Sequence, residues 1–191
     1  MQKFKGAEAI VYPIKYFNLD VLVKERIEKQ YRERKLDIKL RTDRTRQEAK
    51  LLTRAKEVGI LCPIVYDIST YKIIMKKIEG TMLYNIKNIN KKQIKESAKI
   101  LTKLHCVDII HGDYTPANLI QTKTSEIAVI DFGLGYFSKK IEDKAVDVVT
   151  MKKALGDKNG KIFVDAYSKH GEKEVISRIK TIEERVRYAE K

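Results

Sequence analysis

The stretch from His111 to Gly133 constrains this chain more than any other. It reads HGDYTPAN at 111–118 and, after a short polar interval, IAVIDFG at 127–133. The first piece is a turn: Gly112 and Pro116 interrupt regular structure, and Asp113 and Asn118 carry side chains with oxygen ligands. The second is a short apolar strand that ends on Asp131 and can turn sharply at Gly133. Taken singly, a Gly-Asp turn and an acidic strand end are ordinary features. Taken in this order, they put two carboxylates and an amide within reach of one another.

In order and spacing the two pieces match the catalytic loop and metal-binding turn of kinases. Phosphoryl transfer requires a carboxylate to orient the attacking oxygen, and oxygen ligands to hold Mg²⁺ against the nucleotide phosphates. Asp113 suits the first role; Asn118 and Asp131 suit the second. Two protein ligands suffice, because Mg²⁺ keeps its waters and its phosphate ligands. His111 is expected to pack and hydrogen-bond in support of the loop rather than act as a base. His105 ends a predicted helix, His170 is expected to be exposed, and no metal-ligand spacing among His and Cys points to zinc.

The upstream sequence supplies what such a loop would need. Apolar runs at Ala9–Tyr16 and Val21–Ile27, separated by Asn18, Leu19 and Asp20, predict a β-hairpin. A helical period begins at Asp43, places Ala49, Leu52 and Ala55 on one face, and ends at Gly59. The runs ILCPIVYDI and YKIIMKKI predict two further strands turning at Ser69 and Thr70. Lys24, on the second hairpin strand, is a candidate to pair with the nucleotide α and β phosphates, and Glu48, on the helix, to hold that lysine. The first strand would cover the phosphates, but it follows KGAEAI with the single glycine Gly6. Backbone amides around Gly6, Ala7 and Ala9 are candidates there, with Glu8 contributing locally. An adenine ring would sit where the sheet passes into the second half of the chain. Met75 would line the back of that pocket, and the Lys76 carbonyl and Ile78 amide would face the base.

After Gly80 the pattern turns helical, with Ile94, Ala98, Leu101 and Leu104 on one face of Lys91–Leu104 and two or three helices between Asp143 and Tyr188. The expected fold is therefore α+β: a minimal bilobal protein-kinase-like unit. Its small β-sheet N-lobe with one helix spans residues 1–78, a reduced and mainly helical C-lobe spans 79–191, and the ATP site lies between them. A length of 191 residues at 43% hydrophobic agrees with one such unit.

Forty Lys and Arg against 26 Asp and Glu leave a formal charge of +14, which favours anionic partners. The segment from Arg26 to Lys50 holds ten basic and five acidic residues together with Tyr31, and reads either as a salt-dependent nucleic-acid face or as a solvated helix surface. Two cysteines, Cys62 and Cys106, without a CxxC pair, suit a reducing compartment, and both read as small buried hydrophobes. The N-terminus lacks a long apolar core, and no stretch approaches the roughly 18 apolar residues of a membrane span, so a cytoplasmic protein is expected.

Nearly the whole chain resembles the small atypical kinase subunit of the KEOPS complex. The resemblance rests on GAEA at 6–9, VKERIEKQYR at 23–32, LDIKLRTDRTRQEAKLL at 36–52, HGDYTPAN, DFG and EDKAVDVVTMKKAL at 142–155. Aminoglycoside phosphotransferases and Rio-type kinases share the catalytic loop but do not combine these flanking motifs in so short a chain. The resemblance implies an enzyme dependent on ATP and Mg, with autophosphorylating Ser/Thr kinase or ATPase activity. It implies binding to the KEOPS catalytic subunit that forms threonylcarbamoyladenosine in tRNA, docking of a further small subunit on the N-lobe, and tRNA as a further candidate partner.

Two departures from the pattern are visible. Gly112 stands where an HRD loop has arginine and few residues separate Gly133 from Glu142, which points to control by a partner rather than by loop phosphorylation. Thr115 stands where protein kinases carry a lysine, as this family leads one to expect. The tail reads RVRYAEK rather than a compact basic cluster, so Arg185 and Arg187 contact tRNA or a partner only in a weakened form, diluted by Glu190. Two other readings stay open from residues alone: a small-molecule phosphotransferase of the aminoglycoside type, and a non-catalytic nucleotide-sensing scaffold.

Overall fold

The computed structural model describes residues 3–189, with side chains described as far as Ile182. The tail positions Arg185, Arg187 and Glu190, singled out above, lie outside the described side chains.

Residues up to Lys76 build a five-stranded antiparallel sheet and one long helix. The strands are β1 (Phe4–Lys5), β2 (Ala9–Tyr16), β3 (Leu19–Arg26), β4 (Val65–Ile68) and β5 (Lys72–Lys76), in the order β1-β2-β3-β5-β4. The hairpin β2–β3 closes on Phe17 and Asn18, both at positive φ (45° and 62°). A two-residue turn of that hand matches the twist of the flanking strands. Of the expected separators Asn18, Leu19 and Asp20, Asn18 therefore lies in the turn, while Leu19 and Asp20 belong to β3. Register pairs Lys24 with Val11 on one side and Ile73 on the other, in the middle of the sheet.

Helix α1 (Arg34–Glu57) starts nine residues before the expected Asp43. Glu33 caps it by accepting from the backbone N–H groups of Lys35 and Leu36. Its first turns bury a charge rather than a hydrocarbon: Asp37, 1% exposed, takes Arg41 at 2.6 Å and Arg32 at 3.6 Å. An inward face made of Asp37, Thr45 and Glu48 has helical spacing but no apolar period, and the apolar stripe of Ala49, Leu52 and Ala55 that marks the helix in sequence lies only in its second half.

The remainder holds β6 (Thr81–Met82), α2 (Lys91–Cys106), β7 (Ile109–Ile110), β8 (Leu119–Gln121), β9 (Ile127–Val129), β10 (Tyr136–Phe137), α3 (Ile141–Tyr167) and α4 (Lys173–Ala189). Strands β6-β8-β9 form one small sheet and β10-β7 another. Asn90 and Gln93 form a reciprocal capping box at the start of α2, and Ile94, Ala98, Leu101 and Leu104 are fully buried along one face of it. Helix α3 is broken at Gly156, where φ is 73°. One continuous apolar cluster runs from Leu51 and Leu52 of α1 through Leu101 of α2 to Phe163 of α3. Of the two cysteines only Cys62 is buried; Cys106, in the last turn of α2, is exposed, because Leu104 and His105 take the inward positions there. Among the described residues no helix is long and apolar enough to cross a membrane.

Candidate active site

Four charged side chains meet at the inner face of the sheet. Lys24 Nζ donates to Glu48 Oε1 and to Asp131 Oδ1, both at 2.6 Å. Arg26, two residues further along β3 and so on the same face of the strand, donates from Nη2 to the other Glu48 oxygen at 2.6 Å. Lys24, Arg26 and Glu48 are buried while the Asp131 side chain is about half exposed. A cavity of about 500 Å³ opens beside them, lined by Gly6, Glu8, Lys24, Arg26, Asp113 and Asp131 among others. A hollow of about 540 Å³ near Gln93, Glu96 and Ile127 holds none of these groups, so size alone does not identify the site.

Asp131 occupies a left-handed backbone conformation, φ 61°, that leaves its carboxylate facing the cavity, and Gly133 N–H donates to Oδ1 at 3.0 Å. A Cβ at Gly133 would stand 2.8 Å from that oxygen and 3.1 Å from Lys24 Nζ, so a side chain there would push on the Lys24–Asp131 pair. Partial burial would raise the Asp131 pKa, but the Lys24 charge, with hydrogen bonds from Lys24 and Gly133, outweighs it and holds the carboxyl below its usual range.

Asp113 and Asn118 are joined directly. Asn118 Nδ2 donates to the Asp113 carbonyl at 2.8 Å and to its carboxylate at 2.9 Å. Both acceptors demand the amide nitrogen, which assigns the orientation of the amide and turns its oxygen away from Asp113. Beneath this loop His111 is fully buried. Its Nε2 faces the Ile130 carbonyl at 3.1 Å and its Nδ1 accepts from the Asp113 N–H at 3.3 Å. Those partners require the neutral tautomer, and burial pushes the ring further from protonation. His111 thus ties the loop to the Asp131 strand end and has no proton-transfer geometry.

Asp147 of α3 escaped the sequence reading. It is 1% exposed and accepts the backbone N–H groups of His111 at 2.6 Å and Gly112 at 2.9 Å. The signal was present in AVDVV, where one carboxylate interrupts an apolar run of a helix. Arg26 was missed as well; its spacing of two from Lys24 marks it for the same face.

Gly6, Ala7 and Ala9 all line the cavity, with a tight Gly6 N–H to Ala9 carbonyl bond at 2.9 Å. The covering loop is held to α1 by Glu8 on Arg44 at 2.8 Å, and Lys29 Nζ bonds the Ala7 carbonyl. Met75, Lys76 and Ile78 are not brought into this cavity. Met75 is buried in the core cluster, while Lys76 and Ile78 border a separate hollow with Leu19, Tyr66 and Thr122, and the Lys76 N–H is taken by the Ile64 carbonyl at 2.8 Å.

The model of the RIO domain matches residues 13–143 of this chain. The chain belongs to the RIO-domain family. Within that family it is 38% identical over its whole length to a probable serine/threonine-protein kinase BUD32 homolog of Archaeoglobus fulgidus, covering 98% of that protein. It is 37% identical to the EKC/KEOPS complex subunit BUD32 of Encephalitozoon cuniculi, covering 98% of this chain and 95% of that one. It is also 38% identical to a probable bifunctional tRNA threonylcarbamoyladenosine biosynthesis protein of Methanosphaera stadtmanae, over 97% of this chain but only 36% of the relative. The chain therefore spans about a third of the bifunctional relatives it matches. In fold it resembles the Rio2 kinase of Chaetomium thermophilum solved with ADP/Mg²⁺ and phosphoaspartate, with TM-score 0.72 at 13% identity, covering 94% of this chain and 64% of that one. The RIO-domain chain thus has an α+β, protein-kinase-like fold.

Proposed function

We propose that this chain is an ATP- and Mg-dependent atypical kinase or ATPase, a subunit of a KEOPS-type assembly that supports threonylcarbamoyladenosine formation in tRNA. The observation that carries the reading is Lys24 held between Glu48 and Asp131 at a cavity that Lys24, Asp131 and Asp113 line, with Asn118 hydrogen-bonded to Asp113.

The residues fit a magnesium nucleotide. Asn118 spends its nitrogen on Asp113 and keeps its oxygen for a ligand; Asp131 keeps an ionised carboxylate at the cavity wall. Among the described residues no group of three or more His, Cys, Asp and Glu is placed to hold a metal unaided. A hard cation with two protein oxygens, completed by waters and phosphates, agrees with that donor set. Bound there, Mg²⁺ would neutralise charge developing on the transferred phosphoryl group. Lys24 would turn from Asp131 to the α and β phosphates while Glu48 holds its other side. Asp113, fixed by Asn118, would orient the attacking hydroxyl or water. Loop residues Gly6, Ala7 and Ala9 would cover the phosphates. Met75, Lys76 and Ile78, at the passage between an N-lobe of residues 1–78 and a C-lobe of 79–191, would receive the adenine, with Met75 at the back and Lys76 and Ile78 along the base edge.

The partners proposed are the KEOPS catalytic subunit, a small subunit docked on the N-lobe and tRNA, in the cytoplasm. ATP turnover measured with the purified catalytic subunit, and again with Asp113→Ala, tests the reading. The substitution is expected to remove at least about 99% of turnover. Wild-type turnover in Asp113→Ala would overturn the role of Asp113, and failure of the wild type to hydrolyse or transfer in the assembly would leave a scaffold.

A further inference from the structure

Arg26 is 4% exposed, carries a full charge, and has no part in the roles assigned above. Its Nη2 reaches Glu48 Oε2 at 2.6 Å, with the Arg44 and Gly133 carbonyls each at 3.5 Å. One guanidinium thereby touches the sheet's partner helix α1 and the turn that carries Asp131. Its Nε is buried with no hydrogen-bond partner. A buried guanidinium with an unmet donor is costly to keep. A tie between sheet and helix is already made by Lys24 on the same carboxylate, so that tie alone does not account for Arg26.

Charge accounting gives it a use. Lys24 and Arg26 face Glu48 and Asp131, so the cluster is neutral as it stands. If Asp131 turns its charge to a magnesium ion, the other three groups keep one net positive charge, facing the phosphate end of the cavity. Without Arg26 the remaining pair of Lys24 and Glu48 would be neutral, and Glu48 would hold Lys24 with nothing competing for it. Arginine is suited to this work, because its planar fork stays charged and can serve several acceptors at once.

We propose that Arg26 is a positioning residue of the phosphoryl-transfer site. It occupies the second oxygen of Glu48 and steadies the Asp131–Gly133 turn, so that Lys24 is released from Asp131 to the nucleotide phosphates. It also supplies, from the sheet side, an arginine contact to this turn in a chain whose catalytic loop has Gly112 in place of arginine. The inference rests on the nucleotide-site reading above.

The test is equilibrium binding of ADP, with and without Mg²⁺, together with ATP turnover by the assembled protein. It compares wild type, Arg26→Met, Arg26→Lys, Glu48→Gln and the Arg26→Met/Glu48→Gln double variant, each checked for folding by thermal denaturation. Arg26→Met is expected to weaken Mg-ADP binding and lower kcat/KM for ATP by about tenfold or more, with Arg26→Lys between it and the wild type. The double variant is expected to lose less than the two single losses multiplied, because much of the effect of Arg26 runs through Glu48. Losses that multiply in the double variant would overturn the proposal, as would wild-type affinity and turnover in Arg26→Met. If Arg26→Met does not fold, wild-type affinity in Arg26→Lys overturns it instead. A wild-type chain that binds no ADP would remove the nucleotide site and the positioning role together, whereas intact binding that ignores Arg26 would remove the positioning role alone.

Discussion

Lys24 Nζ lies 2.6 Å from the Asp131 carboxylate, across 107 positions of sequence. That contact closes the base of the cavity, because Lys24 belongs to the sheet and Asp131 to the turn after β9. It couples the two halves of the chain through a group that the proposed reaction would need to move.

Asp147→Ala would strip the His111–Asn118 loop of the acceptor for two backbone N–H groups, those of His111 and Gly112. Leaving buried donors unmet costs about 1–3 kcal/mol each. The expected result is a loss of about 3 kcal/mol in urea unfolding and a fall in ATP turnover, with Asp147→Asn, which keeps one acceptor oxygen, less damaging on both measures. Wild-type stability in Asp147→Ala would contradict the anchoring role.

Gly112 cannot be converted to the arginine of an HRD loop. Its φ is 79°, and a Cβ there would run into the Leu134 backbone carbonyl. Both Gly112→Ala and Gly112→Arg are expected to cost about 2–3 kcal/mol through strain and displacement of the segment after Gly133. Thermal denaturation measures this, and a Gly112→Arg variant as stable as wild type would refute it.

Stability should fall on mild acidification. Burial holds both His105 and His111 below the ordinary histidine range, although Asp147 opposes this at each. In the unfolded chain both would titrate near pH 6.5. Below that value the unfolded state takes up protons that the folded state refuses, so unfolding free energy drops as pH falls and levels off above about 6.5. The slope is at most about 1.4 kcal/mol per pH unit for each histidine. Urea unfolding at pH 5.5 and 7.5 checks it; equal stabilities would show that neither ring is held neutral.

The cysteines should divide cleanly under a thiol reagent. Burial pushes the Cys62 thiol up to about 11, whereas Cys106 is exposed. One fast equivalent per folded chain and two after denaturation are expected, and Cys106→Ser should abolish the fast one. Fast labelling that survives Cys106→Ser would mean that the core around Cys62 opens readily.

Much of this protein was legible in its residues, because local pattern and chemistry were strong there. The hairpin, α2 with its apolar stripe, and the paired turns at Asp113 and Asp131 follow from period and turn chemistry acting over a few residues. The resemblance to the KEOPS kinase subunit, too, rested on motifs readable in order along the chain, whereas the RIO-domain membership came from the match over residues 13–143. The start of α1 was not legible in this way, since its inward face is charged and its burial depends on Arg32 and Arg41 meeting Asp37. Sequence also showed that Gly112 replaces an arginine, but only the fold shows why: the Leu134 backbone occupies the space a side chain would need. Arg26 and Asp147 stand out locally only as charges on an inward face; their partners are set by the fold, Glu48 22 positions away and His111 and Gly112 36 and 35 positions away. Local sequence determines which groups can ligate, turn or donate. Buried charges need partners brought from distant segments, and the tertiary structure alone decides which ones meet.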